Sequence, residues 1–163
     1  MTAGSAEERA PVLVLGLGNP ILGDDGVGLE LLQAFQSLRG TDPRVEYLDG
    51  GTQGIALLAA LSGRRALLVL DAMALGGQPG DVHVIDELQP GSDNRGLAAH
   101  EANAGELLAV AALSGDLPET RMMVGVEPEW LKTREGLSEC VKKAMPAALE
   151  AAGIALDSLL DED

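Results

Sequence analysis

At 163 residues the chain is long enough for one domain with one hydrophobic core. Its formal net charge of -15, with no cluster of Lys or Arg, opposes association with nucleic acid or anionic lipid. Hydrophobic residues make up 46% of the chain and aromatic residues only 2%, which argues against an aromatic cage for sugars or quaternary amines, and the lone Cys140 excludes an internal disulfide or a cysteine-rich zinc site.

Residues 1–10, MTAGSAEERA, hold no apolar signal core, and the longest apolar run, ALLVLDAMAL, is short and interrupted by Asp71. The expectation is a cytoplasmic protein without membrane insertion. A single domain is expected over 1–163, with loose polar tails at about 1–10 and 157–163.

In chain order, PVLVLGL is a continuous apolar run of strand length, and from Gly26 onward Val27, Leu31, Ala34, Phe35 and Leu38 share one helical face. RVEYLDGG reads as a second strand, GIALLAALSG as a short helix and RRALLVLDAM as a third strand of the fully apolar kind found in parallel sheets. The segment ALGGQPGD is too short and too rich in Gly and Pro for a crossover helix, so the next strand, VHVID, is predicted antiparallel to its neighbour. A polar loop, ELQPGSDNRGLAAH, leads to a helix over about Glu101 to Leu113, then to a fifth strand, TRMMVGVE. A last helical region spans Ser138 to Ala152, where Pro146 should kink it or start a second helix. The fold class is α/β: a three-layer sandwich with a five-stranded, mostly parallel mixed sheet, one strand antiparallel, flanked by helices.

Open α/β sheets collect ligands beyond the carboxyl ends of their parallel strands. Asp25 follows the first strand, Asp71 ends the third, and the loop after the fourth can return to bring His100 to the start of a helix. Each residue has a plain structural explanation. Asp24 and Asp25 complement a helix dipole, Asp71 binds amides of the next turn, and His100 faces solvent. Together they form an O,O,N set suited to a divalent transition metal such as nickel or zinc. On the residues alone both readings stay open.

Rival motifs are weaker. A dinucleotide fingerprint started at Gly16 fails at Ile21, and the two acids sit where a pyrophosphate needs bare amides; a nucleotide- or phosphate-binding regulatory module remains the alternative function. Asp49 could imitate a ribose-binding acid, yet GGTQG follows it at once and reads equally well as a glycine turn with Thr52 capping a helix. The GLGNP stretch is similar to one in peptidyl-tRNA hydrolases, but those enzymes use a histidine soon after it and a basic surface; here the first histidine is His83 and the charge is opposite. His83, alternating with Val82 and Val84, is expected at the surface or under a helix, Cys140 lacks a neighbouring base, and no G-x-S-x-G elbow occurs.

As an ordered set, GLGNPILGDDGVG, LDGGTQG, LLVLDAM, the helix start at His100 and VGVEPE resemble the NiFe-hydrogenase maturation endopeptidases, which remove a C-terminal peptide from the hydrogenase large subunit. The resemblance covers nearly the whole chain. It implies a metal-binding and catalytic trio of Asp25, Asp71 and His100, with Asp25 one methylene shorter than the glutamate of some members. It also implies that Asp49, Gly50, Gly51 and Thr52 form a substrate-side loop. The implied partner is a hydrogenase large-subunit precursor. No resident cofactor is implied, because the substrate supplies the nickel, with cadmium or zinc able to take its place in vitro. A carboxylate or a metal-polarised water would then attack the scissile peptide.

Overall fold

Alternation of side chains along the strands decides the layering. The computed structural model describes residues 9–91 and 104–161, and among these it contains β1 (Val12–Leu17), α1 (Val27–Arg39), β2 (Val45–Gly51), α2 (Leu58–Leu61), β3 (Ala66–Ala72), β4 (Val82–Ile85), α3 (Ala104–Ser114), β5 (Thr120–Val126) and α4 (Glu139–Leu160). The five strands form one sheet in the order β2-β1-β3-β5-β4, with β4 antiparallel to β5 and every other pairing parallel. This is the expected mixed sheet.

Both faces of the three central strands are buried, as their unbroken apolar runs require. Val12, Val14, Leu68, Leu70, Val124 and Val126 pack with α1 and α4 on one face. On the other, Leu13, Leu15, Leu67, Val69 and Met123 pack with Leu61 of α2 and with Leu107, Leu108 and Ala111 of α3. Each fully buried leucine contributes roughly 2 kcal/mol of transfer free energy.

Four details depart from the sequence expectations. The buried stripe of α1 comprises Val27, Gly28, Leu31, Leu32 and Phe35, and Leu38 is 71% exposed in the last turn. Periodicity identifies the face of a helix but not how far that face stays covered. Pro146 starts no second helix: α4 is one helix of 22 residues. Its stripe of Val141, Ala144, Ala148, Ala152, Ala155, Leu156 and Leu159 is buried along the whole length, and that packing outweighs the roughly 3 kcal/mol an internal proline costs. The same helix continues through Leu160, with Leu159 and Leu160 buried, so the segment from 157 onward begins as core rather than tail. Finally, the turn after β2 enters its 3-10 segment, Gly54–Leu57, with Gln53 at the N-cap and no side-chain cap, so Thr52 is not the cap.

The glycines of the first loop serve close packing. A Cβ on Gly28 would lie 2.2 Å from the Leu17 carbonyl oxygen and 2.4 Å from that of Leu70, so the first turn of α1 rests directly on the ends of β1 and β3. Gly28→Ala is therefore expected to lower stability by about 2 kcal/mol, measured by denaturant unfolding, through overpacking against backbone that cannot move aside. An unchanged midpoint would show that the helix lifts without penalty.

Candidate active site at the carboxyl edge of the sheet

From β1 the chain crosses by α1 to β2 at one edge of the sheet, and from β2 it returns over the opposite face through α2 to β3. β1 and β3 are neighbours, and their onward connections lead in opposite directions, so the topological switch point, where α/β sheets place ligand crevices, lies beyond their carboxyl ends. The loop after β1 lies at this switch point.

Gly18 is its pivot. With φ at +134° its backbone is in a conformation that side-chain-bearing residues rarely adopt, and a Cβ there would lie 1.9 Å from the Asp25 carbonyl oxygen and 3.7 Å from Asp71 Oδ1. Gly18 thus packs directly on the Asp25 backbone carbonyl, with one Asp71 carboxylate oxygen close by. Both acids are buried, Asp25 at 4% exposure and Asp71 at 0%. Asp25 Oδ2 accepts the Asn19 N–H at 2.9 Å, and Asp71 Oδ1 accepts the Ala72 N–H at 2.8 Å. Two of the three residues singled out from the sequence are thus both buried and border Gly18. His100 lies outside the described residues. Ala104, the first described residue of α3, packs in the core on the face that alternation gives to Asp71, with Leu67 and Val69.

The adjacent acid has a different task. Asp24 is fully buried and accepts four hydrogen bonds from the segment after β5: the backbone N–H groups of Glu129 at 2.8 Å, Trp130 at 3.0 Å and Ser138 at 2.7 Å, and the Ser138 hydroxyl at 2.8 Å. Backbone bonds from Gly23 N–H to Arg134 O, Asp24 N–H to Trp130 O and Arg134 N–H to Ile21 O stitch the same two segments together. The Arg134 guanidinium stacks 3.5 Å from the Trp130 ring centroid over this seam. Sequence reasoning assigned Asp24 to a helix dipole and missed this clamp, because its partners lie more than a hundred residues away.

A second buried carboxylate, Glu127, was also missed. At 4% exposure it accepts the N–H groups of Leu75 and Gly77 and faces His83 Nε2 at 3.3 Å. His83 is opposite Gly125 in the β4–β5 ladder, as Asp71 is in the β3–β5 ladder, so the pair fixes the loop that leaves the Asp71 strand. His83 is half-buried and paired with Glu127. The signal was in the sequence as the glutamate of VGVEPE, but a lone glutamate after a strand does not identify its partner.

The substrate-side loop flanks the first. Gly18 N–H donates to Gly51 O, and the β1–β2 register shifts at Gly16/Leu17, where Asp49 and Gly51 are the successive partners. Gly50 is packed against Leu15, Leu17 and Leu57, and Asp49 and Thr52 are exposed.

Comparison with known proteins decides the family. A family model described as hydrogenase maturation protease matches residues 29–153. The chain belongs to the hydrogenase maturation protease family. It is 32% identical to the hydrogenase 2 maturation protease of Escherichia coli over 85% of this chain and 86% of that protein. To the hydrogenase expression/formation protein HupD of Rhizobium leguminosarum it is 33% identical over 86% of this chain and 71% of that protein. The solved structure of the maturating endopeptidase HybD from E. coli superposes with a TM-score of 0.75 at 29% identity, covering 90% of this chain and 92% of that one. The protease is therefore a peptidase on the three-layer fold of that enzyme. None of its described helices is long and apolar enough to cross a membrane.

Proposed function

We propose that the protease removes the C-terminal extension of a NiFe-hydrogenase large-subunit precursor after nickel has been inserted, recognising the nickel through Asp25, Asp71 and His100. The supporting observation is that Asp25, in the loop beyond β1, and Asp71, at the end of β3, are both buried, with the Asp25 backbone carbonyl and an Asp71 carboxylate oxygen both close to Gly18. Carboxylate oxygens suit a divalent first-row metal, and one imidazole completes a set that leaves positions for ligands already supplied by the substrate. The nickel is cargo of the precursor. The reaction then reports that loading is complete, because an empty precursor offers these residues nothing to hold.

Exposed apolar side chains around the crevice favour a macromolecular substrate. Ile21 follows β1, Ile55 follows β2 and Leu75 follows β3, and they are 64%, 56% and 47% exposed. Three separate loops thus present large aliphatic groups at one edge. Asp49, Gly50, Gly51 and Thr52 border the same edge, in position to line the path of the peptide. The phosphate-binding alternative is disfavoured: the Asn19 N–H that a phosphate would use is occupied by Asp25, and Gly18 and Gly28 have their open sides filled by the chain's own carbonyls.

Mass spectrometry of a large-subunit precursor incubated with the protein, with and without nickel loading, tests the reading. Loss of a C-terminal peptide from the loaded form alone is the expected result; cleavage irrespective of loading removes the metal check. A melting experiment separates the two classes of ligand. Nickel, cadmium or zinc should raise Tm, by an amount set by concentration over Kd, and Asp25→Ala should abolish the rise. A rise with nucleotides and none with metals would favour the alternative.

A further inference from the structure

Along the α1 side of β2 run two cavities that the proposed mechanism does not use. The first, of about 470 Å³, is bounded by Pro20 and Gly26 of the Asp25 loop, by Glu30 and Gln33 of α1 and by Asp49 of β2. The second, of about 320 Å³, continues toward the start of β2 past Asp42 and Glu46. Gln36 and Tyr47 line both, so the two form one trench that begins beside the buried carboxylates and follows the edge of the sheet.

β2 is an edge strand, and among the described residues nothing pairs with its outer side. Val12 N–H bonds to Arg44 O, so Arg44, Glu46 and Leu48 direct their backbone groups inward to β1 and, by alternation, Tyr47 and Asp49 direct theirs outward. The side chains of Tyr47 and Asp49 share the sheet face of Val14 and Gly16, which is the α1 face. A strand added at this edge would place alternate side chains over the trench. No lysine or proline in Val45–Gly51 blunts the edge, and among the described residues no helix covers it.

The trench has a charge preference. Its upper cavity is lined by two carboxylates, Glu30 and Asp49, and by no cation. Neither of the two has an ion-pair or hydrogen-bond partner among the described residues, whereas Asp42 and Glu46 lower down are paired with Arg44 and Arg64. Tyr47 lines both cavities, and its hydroxyl is the buried side-chain polar atom without a partner among the described residues.

We propose that the outer edge of β2 receives an extended segment of the precursor as a sixth strand, with a basic side chain of that segment seated between Glu30 and Asp49. The inference rests on the proposed function for the identity of the occupant. Main-chain bonds to Tyr47 and Asp49 supply affinity, and the acidic upper cavity selects lysine or arginine at one position. Because the trench meets the Asp25 loop at Pro20 and Gly26, the added strand delivers the chain to the crevice in a fixed register.

Amide hydrogen exchange with an alanine-based peptide carrying alternating arginines, against its glutamine counterpart, tests the docking without requiring nickel or cleavage. The arginine peptide should slow exchange at the Tyr47 and Asp49 amides and bind about tenfold more tightly than the glutamine peptide, a gain that Glu30→Gln with Asp49→Asn removes. Equal binding of the two peptides, or protection elsewhere than β2, overturns the inference. In the precursor assay the Glu30→Gln variant should raise KM several-fold and leave kcat unchanged. An unaltered KM with normal cleavage overturns the docking site while the protease reading stands; absence of cleavage by the wild-type protein, with β2 protection by the arginine peptide, does the reverse.

Discussion

Asp24→Ala is expected to lower unfolding free energy by about 4 kcal/mol, and with it Tm by roughly 10 °C, even though Asp24 is not among the residues proposed to act on substrate. The carboxylate accepts three backbone N–H groups and one hydroxyl, all within 3.0 Å, at zero exposure. Bonds to an ionised acceptor exceed neutral ones, and deleting the acceptor leaves several donors buried without a partner. Asp24→Asn should recover only part of the loss, since its amide nitrogen would face donors. Chemical denaturation of both variants, with an exposed acid such as Glu119→Ala as reference within about 0.5 kcal/mol, measures the effect. A loss below about 1 kcal/mol for the alanine variant would mean that water replaces the carboxylate and that the clamp is not structural.

Asp71→Asn should reduce cleavage of the nickel-loaded precursor by about a thousandfold while the protein stays folded. Asparagine keeps the shape and can still accept the Ala72 N–H, so the change removes the charge and leaves the local turn. If Asp25 and Asp71 act on one metal, the double variant should be scarcely worse than either single one, because groups that work as a unit do not contribute additively. Single-turnover cleavage followed by mass spectrometry, with thermal unfolding as the folding control, is the measurement. A decrease smaller than tenfold would remove Asp71 from the chemistry.

The strands were legible because their composition is physically unambiguous. ALLVLDA has no polar alternation to satisfy a wet face, so it had to be central, and ALGGQPGD is too short to cross the sheet, which forced β4 to run antiparallel. The place of Asp25 and Asp71 near the carboxyl ends of such strands was legible for the same reason, although their burial was not. What escaped depends on contacts distant in sequence. Asp24 and Asp25 are indistinguishable as letters, and only the docking of the segment after β5 makes one a clamp and leaves the other at the crevice. The continuity of α4 through Pro146 was hidden likewise, because the local penalty is written in the sequence and the compensating burial against the sheet is not.

The seating of Gly18 also bears on when this protein becomes a protease. The loop carrying Asp25 reaches the end of β3 only after β1 and β3, separated in sequence by β2 and its connections, have paired in register, a non-local contact whose loop-closure entropy must be met before it stabilises anything. A nascent or partly unfolded chain therefore holds its two acids apart. Under the proposed function, chemistry and native topology arrive in the same step.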